Sequence, residues 1–170
     1  DCLQKQDYLQ DALFIFKQFL VKLRGVATEN LFDSVGKFLA AGHYQIGSIA
    51  VRVLSFESSV INDDYWKSML SRALAVRIAT GLADSETTNC YRLVHGEGDN
   101  LPGLVIDWYD GVCVMQAHSA GMFRAKKQIA QALVEIYGDK LKAVYDKSSG
   151  TAPFKAGLDL VDGYLYKREG

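Results

Sequence analysis

Three cysteines in 170 residues, at Cys2, Cys90 and Cys113, are too few and too scattered for a disulfide framework or a cysteine-based zinc site. Reduced thiols in a cytoplasmic setting are the simplest reading of that scarcity. A net charge of −1 provides no overall basic field and argues against strong non-specific nucleic-acid binding. No apolar run reaches the roughly eighteen residues of a membrane span. The first residues, with Asp1, Asp7 and Asp11, lack the basic-then-apolar order of a signal peptide. Internal repeats and low-complexity segments are also missing. Apolar residues at 49% and charged residues at 23% are ordinary for a globular chain, of a length that suits one domain or two small ones.

The pattern is clearest over residues 91–119. Three short apolar runs, 91–95, 104–109 and 112–118, read as strands of a meander. Asp110-Gly111 between the second and third predicts a type I′ hairpin, in which both central residues need positive φ. The link Gly96–Gly103 has three glycines and Pro102 in eight residues, which predicts a wide irregular turn.

Around this stretch the other elements fall into place. Residues 1–25 carry a helical stripe of Leu9, Leu13, Phe16, Leu20 and Leu23, although a buried strand across 12–16 is also compatible. Residues 38–44 and 49–54 read as two strands joined through 45–48. A helix is predicted over 63–80, capped by Asn62, with Asp63 and Asp64 in its first turn. Trp66, Met69, Leu70, Ala73, Leu74 and Ile78 form its apolar face, and Gly81 stands at its end. Residues 83–89 read as a connector. Met122, Ala125, Ile129, Ala132, Leu133 and Ile136 mark a second helix, with Ser119 as cap and Gly138 as stop. Residues 142–147 predict a fourth strand, 148–153 a loop, and Tyr164–Tyr166 one further short strand.

Two patches carry a family resemblance. His-Gly-Glu-Gly-Asp-x-Leu-Pro-Gly-Leu-Val-x-Asp, residues 95–107, resembles the signature of the central domain of S-adenosylmethionine-dependent 23S rRNA (cytosine-C5) methyltransferases. Residues 36–44 and 48–56, Gly-Lys-Phe-Leu-Ala-Ala-Gly-His-Tyr and Ser-Ile-Ala-Val-Arg-Val-Leu-Ser-Phe, resemble the second half of the PUA domain in the same family. In place of the His-Pro-Trp-hydrophobic-Phe-like segment that opens that domain in the family, this chain reads Ala-Leu-Phe-Ile-Phe at 12–16. The resemblance covers about residues 36–166 and none of the catalytic domain. It implies an α+β protein with a PUA-like β-rich portion over 1–58, a connecting helix and linker over 59–86, and a small βββαβ central domain over 87–170. It also implies S-adenosylmethionine as the cofactor of full-length relatives, with none held by this chain.

The candidate sites divide into three groups. His95, Glu97 and Asp99, with His118, have donor chemistry for a divalent metal, but the glycines between them favour a shaped turn whose carboxylates bind local N–H groups. Gly96-Glu97-Gly98 resembles a phosphate loop only superficially, because Pro102 and a strand follow where a helix is needed. No catalytic and no metal-binding residue is therefore assigned. Asp107 and Asp110 flank the hairpin and read as solvated. Arg52 projects opposite Val51 and Val53, and with His43 and Tyr44 on the neighbouring strand it offers a phosphate contact or a stacking surface for RNA.

Charge is uneven: 84–110 has Arg92 against six acids, whereas 124–155 has seven basic residues against three acids. Arg124, Lys126 and Lys127 open that basic run and are the second RNA-facing candidates. The expected partner is RNA, ribosomal by the resemblance, with no membrane; a homodimer stays open. The reading is a non-catalytic RNA-recognition and linker portion of an rRNA methyltransferase. The alternatives are a free-standing RNA-binding or adaptor module and a small metal-dependent hydrolase.

Overall fold

The computed structural model describes residues 28–45, 49–58, 60–153 and 157–169. The elements in order are β1 (Thr28–Phe32), β2 (Phe38–Tyr44), β3 (Val51–Ser55), α1 (Asp63–Ala79), β4 (Cys90–His95), β5 (Leu104–Tyr109), β6 (Val112–Ala117), α2 (Ala120–Tyr137), β7 (Ala143–Asp146) and β8 (Gly163–Lys167). A 3-10 turn, Gly96–Asp99, links β4 to β5. The described strands make two sheets, β1-β2-β3 and β4-β5-β6-β7-β8, and among them only β6 and β7 run parallel. The class is α+β.

Alternation along β5 and β6 decides which face is covered. Leu104, Ile106 and Trp108 are buried, as are Cys113, Met115 and Ala117, while the residues between them are half-buried. The buried face packs with Leu70 of α1 and with Met122, Ile129 and Leu133 of α2. The two helices are also tied at their surfaces, by Lys67 to Glu135 at 2.9 Å and by Gln128 to Asp63 at 2.8 Å.

Both helices start as their sequences require. The Asn62 side chain accepts from the Tyr65 N–H at 3.0 Å, and Ser119 accepts from the Met122 N–H at 3.2 Å. Gly138, at φ 51°, ends α2. One helix-face expectation needs correcting. The apolar stripe of α1 stops at Leu74, and Ile78 lies exposed. The last turn sends Arg77 inward instead, for an ionic contact described below.

One further difference concerns a strand, and one expected strand is present. β1, Thr-Glu-Asn-Leu-Phe, carries strand-poor Glu and Asn between Thr and Phe, and it pairs antiparallel with β2. The short strand expected at Tyr164–Tyr166 is present as β8, which pairs with β7 at the edge of the large sheet. The helix expected within 1–25 and most of the 45–48 link lie outside the described residues.

The Asp110-Gly111 hairpin forms as expected, with φ 43° and 93°. A Cβ on Gly111 would lie 2.9 Å from the Lys140 carbonyl oxygen and from the Lys142 side chain. Gly111→Val therefore combines a strained φ with a clash against backbone and should destabilise the chain by about 2 kcal/mol or more. A urea melt in which the variant matched the parent would contradict this.

Candidate nucleic-acid interface

His43, Tyr44 and Arg52 occupy a seam between the small sheet and the two helices. His43 is 5% exposed, and its ring stacks on Trp66 of α1 with centroids 6.1 Å apart. The first turn of α2 passes directly over it, so that a Cβ on Gly121 would fall 2.2 Å from the imidazole Cγ. Arg52 is the cross-strand partner of His43 and is half-buried beside Gly103 and Ser119. Its Nη1, the His43 Nδ1 and the Trp66 Nε1 are buried without a hydrogen-bond partner among the described residues. The Gln45 Oε1 accepts from the Ala120 N–H at 3.2 Å, and the Tyr65 hydroxyl donates to the Leu54 carbonyl at 2.9 Å. Tyr44 is buried as well. These contacts dock the small sheet on the helices.

Burial, and secondarily the Arg52 charge, lowers the His43 pKa from 6.5 to about 4. The imidazole is neutral at pH 7 and offers no cation to a phosphate. Because the folded value is depressed, the folded state resists protonation. Its contribution is intact above pH 6.5 and is lost as pH falls toward 4. The loss over that window should reach about 3 kcal/mol, at about 1.4 kcal/mol per pH unit. Comparing pH-dependent melts of the parent and His43→Asn isolates this component; parallel curves would refute it.

The 95–107 motif builds a turn. Arg77 donates to both Asp99 oxygens at 2.6 Å, with side chains 12% and 7% exposed, and the His95 N–H donates to the same carboxylate at 2.6 Å. Arg77 Nε also donates to the Arg92 carbonyl at 2.9 Å. Asp99 thereby anchors the end of α1 to the β4–β5 connection. Glu97 is exposed, and among the described residues no group of three His, Cys, Asp or Glu could hold a metal ion. His118 is exposed, and its backbone N–H donates to the Gly103 carbonyl at 2.8 Å. Asp107 and Asp110 are not simply solvated, as their sequence position suggests. Asp107 accepts from Arg92 at 2.8 Å, and Asp110 pairs with Lys142 at 2.8 Å.

The basic run divides in a similar way. Arg124 and Lys127 are exposed on α2. Lys126 lies 2.7 Å from the buried Asp146 carboxylate and 3.8 Å from the Phe123 ring centroid. Ser148 donates to the other Asp146 oxygen while accepting from the Ala117 N–H at 2.9 Å. Sequence reading missed this knot because Lys126 and Asp146 lie twenty positions apart, and Ala117 and Ser148 thirty-one. Burial raises the Cys113 thiol to about 12, which makes it a packing group. Among the described residues no helix is long and apolar enough to cross a membrane.

No family model matches the chain. It is 34% identical over 159 residues to "Ribosomal RNA large subunit methyltransferase I" of Alteromonas mediterranea, covering 90% of this chain and 39% of that protein. The protein of the same name from Pseudoalteromonas translucida is 35% identical over 162 residues, covering 92% of this chain and 40% of its own. The chain thus spans about two fifths of the length of these curated relatives. Its fold matches a SAM-dependent methyltransferase of Streptococcus mutans with a TM-score of 0.69 at 20% identity, over 89% of this chain and 38% of that one. A methyltransferase solved in complex with SAH gives the same TM-score over 37% of its chain.

Proposed function

We propose that this chain is the RNA-recognition and linker portion of an S-adenosylmethionine-dependent 23S rRNA (cytosine-C5) methyltransferase. Residues 1–58 are its PUA-like portion, 59–86 the connecting helix and linker, and 87–170 the central domain. The observation that carries this reading is the alignment of 90% of the chain, at 34% identity, with two fifths of a ribosomal RNA methyltransferase. The seam of His43, Arg52, Trp66 and Gly121 supports a linker role, since it joins two sheets that make no common hydrogen-bonded ladder. Methyl transfer itself belongs, on this reading, to the remaining length of such a protein.

The parallel unit β6–α2–β7 is the described element closest to a nucleotide fold. It enters its helix through Ala117-His118-Ser119-Ala120, without a glycine-rich turn, and Gln45 and His43 cover the helix start. The chain alone is therefore expected not to bind S-adenosylmethionine, and titration calorimetry showing tight binding would contradict that.

RNA binding should be weak and salt-dependent. Exposed Arg124 and Lys127 on α2 form one contact surface. Filter binding of structured ribosomal RNA at two salt concentrations tests this. Arg124→Ala/Lys127→Ala should lower both affinity and salt slope more than Lys5→Ala/Lys17→Ala. Equal losses from the two double variants, or affinity indifferent to salt, would overturn the surface.

A further inference from the structure

Among the described residues, the helices cover one face of the five-stranded sheet. Both helices that contact it, α1 at β4 and α2 at β6 and β8, share the same core. The opposite face is half-buried along β5 and β6, at Val105, Asp107, Val114 and Gln116. Register carries this face across to β7 and β8. Arg92, Asp107, Val114, Tyr145 and Tyr164 stand opposite one another in a single row, one from each strand.

The far end of that row is aromatic and basic. The Tyr145 and Tyr164 rings meet edge to face, with centroids 5.1 Å apart, and Tyr164 is 61% exposed. Lys167 places its Nζ 5.4 Å from the Tyr164 ring centroid. Lys147 follows two residues after Tyr145, which puts it on the same side of the sheet, and it is exposed. The row's single carboxylate, Asp107, is neutralised by Arg92 at 2.8 Å. Lys147 and Lys167 set two cations beside the aromatic pair, while Asp162, which accepts from the Ser149 N–H at 2.8 Å, and the exposed Glu169 lie just beyond the ends of β8 on the same side.

We propose that this open sheet face binds single-stranded RNA, with an unpaired base stacked on Tyr164 beside Tyr145 and the adjoining phosphates met by Lys147 and Lys167. The inference rests on the reading of the chain as an RNA-recognition portion and names a second surface for it, beside that of Arg124 and Lys127. Two observations select this occupant. An exposed aromatic face flanked by cations suits bases and phosphates, and among the described residues no helix lies over the Tyr164 side of this antiparallel edge. A protein core packed here would instead require a continuous apolar face, whereas Arg92, Gln116, Lys147 and Lys167 interrupt it.

A short oligoribonucleotide carrying a fluorescent adenine analogue, titrated with the 170-residue chain, provides the test. Stacking should quench the fluorophore. Tyr164→Ala should weaken binding about tenfold and remove the quench, while Tyr164→Phe keeps both. Lys167→Ala should lower the salt slope by about one contact. A Tyr164→Ala chain that melts like the parent yet binds and quenches equally would overturn the proposal. The face would then be a packing surface for protein, and RNA recognition elsewhere on the chain would stand. Failure of the parent to bind any RNA would remove the functional reading beneath it.

Discussion

Gly121→Ala is expected to destabilise the chain by about 2 kcal/mol, although alanine is the better helix former by about 1 kcal/mol. The position lies in the first turn of α2, where an ordinary surface site would gain from the change. Here the new Cβ would lie 2.2 Å from the His43 ring, which is itself stacked on Trp66 and cannot retreat. Either the small sheet undocks or α2 shifts off the core. Urea melts of the parent, Gly121→Ala, His43→Ala and the double variant separate these effects. The double variant should recover part of the loss, because removing the imidazole frees the space. A Gly121→Ala chain as stable as the parent would mean that the seam is not packed as described.

Asp99→Ala should be the most damaging single change in the 95–107 motif, with a loss of about 3 kcal/mol or more. It leaves the Arg77 guanidinium, 12% exposed, without its bidentate partner and strips the His95 N–H of its acceptor. Asp99→Asn, which still accepts hydrogen bonds, should lose less. Acid provides a second check. Desolvation raises the Asp99 pKa, but hydrogen bonds from Arg77 and His95 and the Arg77 charge outweigh it, and the net direction is downward from 3.8. The contribution is thus complete above the ordinary carboxylate value and lost as pH falls through the lowered one. Parent and Asp99→Ala should converge in stability in that acid range. A gap that stayed constant would assign the loss to something other than the ion pair.

These two sites show why some of the fold was legible and some was not. The Asp110-Gly111 turn and the Asn62 and Ser119 caps depend on chemistry within four residues, so a linear sequence displays them. The alternation of β5 and β6 is equally local. Arg77 looks like a solvated helix charge because its partner, Asp99, lies twenty-two positions away. Lys126 looks like a phosphate ligand for the same reason, since only the β7 register brings Asp146 beneath α2. His43 and Arg52 fall on adjacent strands, as their sequence pattern predicts, yet nothing nearby in sequence announces that Gly121 will cover that face. The Tyr145–Tyr164 pair needed the crossover through α2 and the return of β8 to become visible. Local turn chemistry was readable; long-range partners were not.

The role proposed for this chain is recognition of ribosomal RNA through its surface. Ultraviolet crosslinking of the 170-residue chain to protein-free large-subunit rRNA, with mass-spectrometric mapping of the attached peptides, tests it most directly. The account predicts crosslinks concentrated in the peptide that carries Tyr164 and Lys167, with a second group at Arg124 and Lys127. It also predicts that an unrelated RNA of equal length will compete poorly. Crosslinks absent above background, or spread evenly over the chain and displaced equally by any RNA, would contradict it.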